Sequence, residues 1–300
     1  MNREEAEALY TDIKTHPLVP GDERQAELIE VLEFLIKETG DSWYMLDLGS
    51  IYYDRKQYDL ALKYYEIADA AGDPEVLNVL GYMWYYGRTG TVDYEKAFHY
   101  FSKGADNGDQ ASMYKLADMY KNGYFVKQDM NKYRQILEEM CEYLKIGSYP
   151  DKLTVLPDVY CRLARIRKEE GNIPEAVRLY REAKYYLKDR IMYTQFFGDY
   201  NIMQRLLEDL YSMTEPDRSD LDIYDAMVLL KRPGTMSFYY RQRRYRIISS
   251  IDEQGVYAAE YRGHFYRSVK ELLQKAELDG QYLTGRHSEL YDLEVRYGSD

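Results

Sequence analysis

An internal repeat limits the fold of this sequence more than any other feature. Residues 94–109 match residues 58–73 in register at a shift of 36, with alanine, aromatic and Gly-Asp positions coinciding. The preceding segments match at a shift of 32, so a four-residue insertion near residues 87–90 lies between the two halves of the second unit. A period in this range is typical of arrays of stacked helical pairs.

Each unit reads as a helix, a turn and a second helix. The small residues Gly49, Ala61 and Ala68 are spaced so that two helices can approach closely, and Leu48 and Tyr65 can fill the space beside them. We therefore expect these positions to be buried between the helices of a pair. The insertion is expected in the loop that joins the two helices.

The boundaries between units carry the pair Gly-Asp, at residues 40–41, 72–73 and 108–109. Glycine readily takes the left-handed conformation that ends a helix, and aspartate is a favoured cap for the next one. Pro74 is favoured in the first turn of the helix that follows the second boundary. The pattern thus predicts where each helical pair ends.

Further units are less regular. A third begins at residues 111–123 and has its second helix at 131–146, and a fourth occupies 157–190. Residues 2–39 predict an N-terminal helical pair, and residues 193–213 a degenerate last unit. Atypical ends are expected because terminal repeats must shield the stack from water.

At these residues the sequence resembles the tetratricopeptide repeat, and its second and third units are similar to the related Sel1-like repeat, which has a longer loop between its helices. The resemblance covers about residues 41–190 and is weaker at both ends. It implies a mostly α fold, in which residues 1–229 form a right-handed α-solenoid of helix-turn-helix repeats. It also implies that the first helices line a concave groove that binds peptides or protein segments.

Residues 230–300 predict a different, small α+β domain with a ββαβ-like order, because aromatic and branched residues alternate with turn signals. The expected elements are a strand over 237–250, a strand over 255–263, a short helix opened by the capping box Ser268/Glu271, and a closing strand over 289–297.

Charge also separates the two parts. Residues 230–300 hold 12 Lys and Arg against 10 Asp and Glu, whereas residues 1–229 hold 28 against 42. The net charge of −12 argues against nucleic-acid binding over the whole surface, because phosphates would be repelled at long range.

A local basic surface is a secondary candidate. If residues 237–250 form one regular strand, Arg241 and Arg243 share a face with Tyr239 and Tyr245. The opposite face would then carry Tyr240, Arg244 and Arg246. Basic residues interleaved with aromatic ones can bind nucleic acid, but they can equally pair with acidic residues of the solenoid or discourage edge-to-edge strand pairing.

We expect that the protein is not an enzyme and that it has no cofactor or metal site. The four histidines are scattered, and the sequence lacks the usual hydrolase, metalloprotease and phosphate-loop motifs. Cys141 and Cys161 are too far apart for a Cys-x-x-Cys site and are expected to be reduced and buried. The sequence has no secretory signal and no run of about 18 apolar residues, so we expect a cytoplasmic protein that does not enter the membrane.

The leading functional hypothesis is a protein-interaction scaffold. The residues expected to face the groove are Asn78, Tyr82, Tyr85, Tyr114, Asp118 and Lys121. The alternative is that the tyrosines among them only pack between neighbouring units. The acidic charge of residues 1–229 favours a protein or peptide partner that is basic or neutral with apolar anchors.

Two other functions are compatible with such a chain. One is a nucleic-acid-binding or regulatory protein that acts through the C-terminal domain, and the other is an immunity-type protein that blocks a specific toxin. The fold alone does not choose among them.

Overall fold

The structure is a computed structural model that describes residues 1–15, 24–146, 152–194 and 196–297. It divides into two compact units, Met1–Met140 and Cys141–Asp300. The domain boundary predicted between residues 229 and 230 is a different one, because it marks the change from helical repeats to strands. It stays a prediction.

The expected helical repeats are confirmed. The helices are α1 Arg3–Thr15, α2 Arg24–Thr39, α3 Ser42–Asp54, α4 Tyr58–Ala70, α5 Val76–Tyr85, α6 Tyr94–Asp106, α7 Gln110–Asn122, α8 Met130–Ile146, α9 Lys152–Glu169, α10 Ile173–Thr194 and α11 Phe197–Tyr211. Consecutive helices pack as pairs in α1–α2, α3–α4, α5–α6 and α9–α10. The insertion near residues 87–90 lies in the loop between α5 and α6, as predicted.

In each of the first two units, an aromatic ring packs directly on a glycine of the facing helix and so sets the distance between the two helices. A Cβ atom added at Gly49 would lie 2.4 Å from Cε1 of Tyr65, and one added at Gly81 would lie 2.4 Å from Cε1 of Phe101. Both aromatic rings are buried. The same packing therefore recurs at the repeat positions that the sequence predicts to be small and large.

The predicted helix ends also occur. Gly40, Gly72 and Gly108 have φ values of 68°, 87° and 82°, and the Asp41 side chain caps α3 by accepting a hydrogen bond from the Trp43 amide. One detail is wrong, because α5 begins at Val76 and Pro74 lies in the turn that precedes it.

The C-terminal region holds the predicted antiparallel sheet and helix. A short helix, α12, spans Ala226–Leu229, and the remaining elements are β1 Gly234–Tyr240, β2 Arg243–Ile251, β3 Tyr257–Tyr261, β4 His264–Tyr266, α13 Val269–Lys275, β5 Glu277–Leu278, β6 Gln281–Tyr282 and β7 Tyr291–Tyr297. Five strands form one sheet in the order β4-β3-β2-β1-β7, and β5 pairs with β6. The Ser268 hydroxyl caps α13 by accepting from the Glu271 amide at 3.1 Å, as predicted.

The single strand predicted over residues 237–250 is wrong. The chain reverses at Arg241 and Gln242, whose φ values are 45° and 63°, so that β1 and β2 form a tight hairpin. Two central residues with positive φ are typical of a type I′ turn, which usually contains asparagine or glycine. The turn residues Arg241 and Gln242 are neither asparagine nor glycine, so the sequence pattern gives no sign of a turn and predicts one continuous strand. The order is therefore four strands before α13 rather than the predicted two.

A buried ion cluster fastens the segment before β1 to α10. The Lys184 ammonium lies 2.8 Å from Oδ2 of Asp225 and 3.2 Å from Oδ2 of Asp222. Lys188, one turn further along α10, lies 3.1 Å from Asp222. The Tyr211 hydroxyl donates to the other oxygen of Asp225 at 2.8 Å. We call these five residues the lysine–aspartate cluster.

Candidate partner-binding surface

Helix α5 and the residue that follows it place three tyrosines on one side, because Tyr82, Tyr85 and Tyr86 are spaced at i, i+3 and i+4. The rings of Tyr82 and Tyr85 meet the buried Phe101 ring edge to face, with centroids 5.5 and 6.1 Å apart. Tyr86 stacks on Tyr82 at 6.0 Å. The rings of Tyr82 and Tyr85 therefore pack against the hydrophobic core. Tyr86 lies on the solvent side of them, with 48% of its surface exposed.

A lysine from the next unit lies against these rings. The ammonium group of Lys115, on α7, is 5.4, 5.0 and 5.2 Å from the ring centroids of Tyr82, Tyr85 and Tyr86. It also donates a hydrogen bond of 2.9 Å to the Tyr86 hydroxyl. Its side chain is only 12% exposed, and Asp118 lies 3.7 Å from it. We call these five residues the tyrosine–lysine cluster.

A second cation covers the outer tyrosine. The Arg88 guanidinium, in the α5–α6 loop, is 5.4 Å from the Tyr86 ring centroid and 5.8 Å from those of Tyr53 and Tyr58. Guanidinium groups are attracted to aromatic faces at such distances. Arg88 therefore connects the aromatic residues of the first unit to the cluster in the second and third.

The aromatic surface continues beyond the cluster. Tyr94 and Tyr124 stack with their centroids 4.4 Å apart and their planes 4° apart. The Tyr85 ring meets both of them edge to face, at 5.5 and 5.9 Å. Ring contacts thus run without a break from α5 to the start of α6 and to the segment that follows α7.

Two tyrosines of the cluster, Tyr82 and Tyr85, have raised pKa values. Burial raises the pKa of Tyr82 to about 12, and the negative charge of Asp109 adds to the shift. Burial also raises the pKa of Tyr85, with Asp118 as the next cause. At neutral pH Tyr82 and Tyr85 therefore keep their protons, and the cations that lie against the rings of the cluster are Lys115 and Arg88.

The structure brings together three of the six predicted groove residues. Tyr82, Tyr85 and Asp118 lie in the cluster, whereas the Asn78 amide donates to the Asp109 carboxylate at 3.2 Å. Lys121 is exposed, and its ammonium group is 5.6 Å from the Tyr133 ring on α8. The remaining residue, Tyr114, is half-buried on α7. That these residues bind a partner stays a prediction.

Sequence reasoning missed Lys115, although the repeat contains a signal for it. Lys115 occupies the position that Val79 has in the second unit and Asp47 in the first. Asp47 also makes polar contacts with the preceding helical pair, since it accepts hydrogen bonds from Tyr10 at 2.6 Å and Lys14 at 2.9 Å. Both charged residues at this position, Asp47 and Lys115, contact the preceding helical pair, so a charge there indicates such a contact.

The grouping predicted for the secondary surface is wrong, because the hairpin changes which residues share a face. Arg241 lies in the turn, where it pairs with Asp279 at 3.0 Å. In the register of β1 and β2, Tyr239 lies opposite Arg244, whereas Arg243 and Tyr245 belong to the other face. A role of this region in binding stays a prediction.

The described ranges of the chain contain neither a metal-binding cluster nor a membrane-spanning helix. Within residues 1–15, 24–146, 152–194 and 196–297, no group of three or more His, Cys, Asp or Glu side chains could hold a metal ion. In the same part of the chain, every helix is too short or too polar to cross a bilayer.

Comparison with known proteins identifies the repeats. The sequence model of the Sel1 repeat matches residues 39–73, 74–109 and 110–132. No curated protein matches the chain in sequence.

Solved structures match this chain at low sequence identity. A Sel1 repeat protein from Oxalobacter formigenes is 21% identical with a TM-score of 0.50, and the match covers 73% of this chain and 80% of that protein. The protective antigen c5321 of uropathogenic Escherichia coli, described as having an SLR fold, gives 20% and 0.47, with 75% of this chain and 52% of that one covered. The type IV pilus biogenesis factor PilW gives 18% and 0.42, with 69% and 86% covered. The family model thus identifies three successive Sel1 repeats within residues 39–132.

Proposed function

We propose that this chain is a non-catalytic cytoplasmic scaffold that binds a segment of another protein at the tyrosine–lysine cluster. The observation that carries the proposal is the state of Tyr86, which is half exposed yet held by Lys115 at its hydroxyl, Arg88 on its ring and Tyr82 beside it. A large aromatic side chain that is already immobilised loses little further entropy on binding. Tyrosines of this kind are enriched among the residues that dominate interface energies.

The cluster favours a neutral, apolar anchor at its centre. Lys115 and Arg88 already lie over the tyrosine rings, so a cation of the partner would compete with them there. An apolar or aromatic side chain, in contrast, can pack on the exposed part of Tyr86. Because residues 1–229 are strongly acidic, basic residues elsewhere in the partner would speed its approach.

The test is alanine substitution at Tyr86 once a partner has been found by affinity capture. Tyr86→Ala should weaken binding by about 1–3 kcal/mol, the range typical of interface anchors, without unfolding the protein. Tyr143→Ala is a matched control, because Tyr143 is 55% exposed on α8 and lies outside the cluster. Tyr82→Ala and Tyr85→Ala should weaken binding as well, but they also remove packing on Phe101, so circular dichroism must accompany them.

The proposal and its main rival give opposite results in one experiment. Normal binding by Tyr86→Ala, together with loss of binding in Arg241→Ala or Arg243→Ala, would show that the C-terminal domain binds the partner. A salt-sensitive shift of nucleic acid by the full chain, lost in the same two arginine variants, would support the nucleic-acid function instead.

A further inference from the structure

An open cleft of about 510 Å³ lies between α11, α12, α13 and the adjoining ends of β2 and β3. Its apolar lining comes from Met227, Ile251, Tyr257 and Val269. Met227 and Val269 are buried, whereas Ile251 is 47% exposed at the end of β2. The Tyr257 hydroxyl donates to the Leu230 carbonyl at 2.7 Å, so the polar end of this side chain is already bonded within the protein.

Two lysines border the cleft, and they differ in the charge of the side chain that each one contacts. Lys231 forms an ion pair with Glu208. Lys270 donates to the side-chain oxygen of Asn201 at 2.9 Å, and this partner is a neutral amide. Among the described residues that line the cleft, none is acidic. The Lys270 side of the cleft therefore offers a positive charge next to an apolar wall.

We infer that this cleft binds a small amphiphile with an aliphatic body and a carboxylate head. The body packs against Met227, Ile251, Tyr257 and Val269, and the carboxylate accepts a hydrogen bond from Lys270. The volume lies within the range of small-molecule sites, which are mostly apolar and hold a few polar groups that fix orientation. This site lies in the C-terminal unit and does not depend on the proposed scaffold function.

The polar groups of the lining favour such a ligand over a peptide. A peptide brings backbone amides that need hydrogen-bond partners along their whole length. The other two polar side chains of the cleft are already engaged, because Gln204 donates to Glu208 at 3.0 Å and the Ser268 hydroxyl accepts from the Glu271 amide at 3.1 Å. An aliphatic carboxylate needs one cation and an apolar wall, and the cleft supplies both.

Calorimetric titration of the full chain with decanoate, below its micelle concentration, tests the inference. Ile251→Glu should weaken binding by about tenfold or more, because it places a carboxylate against the aliphatic body and head of the ligand. Lys270→Gln should weaken it by about tenfold, since a charge-assisted hydrogen bond is lost. Val256→Glu and Lys275→Gln are the matched controls, because both residues are exposed neighbours outside the lining and should bind within about twofold of the parent.

Two ligand series test the chemistry of the site. Octanoate should bind about fifteenfold more weakly than decanoate, because each buried methylene contributes about fourfold. Uncharged decanol should bind about tenfold more weakly than decanoate, since it gives Lys270 no anion.

Several outcomes would overturn the inference. The first is absence of decanoate binding by the folded chain up to about 1 mM. Equal binding by Ile251→Glu and Val256→Glu would mean that the amphiphile attaches elsewhere, and equal binding of decanoate and decanol would remove the role of Lys270. Binding of an apolar acidic peptide in the cleft, where decanoate fails, would replace the small-molecule ligand by a protein segment.

Discussion

The lysine–aspartate cluster permits a sharp prediction for Lys184→Met, which keeps the aliphatic length of the side chain and removes its charge. The Lys184 side chain is 5% exposed, and its ammonium group donates to Asp225 at 2.8 Å and to the Asp220 carbonyl at 3.0 Å. After the substitution, Asp222 still has Lys188 at 3.1 Å. Asp225 loses its cation while it remains fully buried.

The expected cost at neutral pH is about 3–5 kcal/mol, the usual penalty for removing one partner of a buried ion pair. Asp225 can reduce this cost by taking up a proton, because burial and the neighbouring Asp222 already raise its pKa to about 6. Loss of Lys184 should raise that pKa further. Since the folded variant then binds a proton more tightly than the unfolded chain, its stability should increase as the pH falls. The deficit of Lys184→Met should therefore be smaller at pH 5 than at pH 8.

Hydrogen exchange of the α10 amides measures this locally, because it reports the free energy of opening of the element that carries Lys184. Lys188→Met is the control, since Lys188 is more exposed and should cost about 1 kcal/mol or less. The double variant Lys184→Met/Asp225→Leu should recover much of the loss, because a buried ion pair can often be replaced by apolar groups. Equal destabilisation by Lys184→Met and Lys188→Met at pH 8 would refute the reasoning.

Three other predictions concern packing and pH. Ala97→Leu should lower the free energy of unfolding by about 1–3 kcal/mol through overpacking between α5 and α6, and an unchanged melting temperature would contradict the repeat register. Gly81→Ala should also destabilise the second unit, because its Cβ would lie 2.4 Å from the Phe101 ring, whereas a rise in melting temperature would mean that the ring moves freely. Burial and the nearby Lys188 lower the pKa of His287, so the stability that neutral His287 provides is present above about pH 6.5 and is lost as the pH falls. In urea titrations His287→Gln should remove this pH dependence, and a profile identical to that of the parent would exclude His287 as its source.

The repeats could be predicted from the sequence because their packing depends on residue size at fixed spacing. Gly49 must be small because Tyr65 lies directly on it, and the pair Gly81 and Phe101 repeats the requirement in the next unit. The helix ends followed from Gly-Asp pairs for an equally local reason. Contacts of this kind need no knowledge of distant parts of the chain.

The β-hairpin and the cation positions could not be predicted in the same way. The turn at Arg241 and Gln242 uses residues without a turn signal, and pairing with the rest of the sheet holds them in the left-handed region. Lys115 meets Tyr86 across a separation of 29 residues, and Lys184 meets Asp225 across 41. Such pairs become visible only when the helices are in place.

The site and the repeat therefore depend on different residues. The positions that build each helical pair are nearly constant in the first two units, so they carry the fold and cannot distinguish one partner from another. The position occupied by Asp47, Val79 and Lys115 changes its chemistry from unit to unit, and in two of the three it contacts the preceding pair through charge or hydrogen bonds. Because Lys115 holds Tyr86 in place, the specificity proposed for this surface would arise at the position that departs from the repeat.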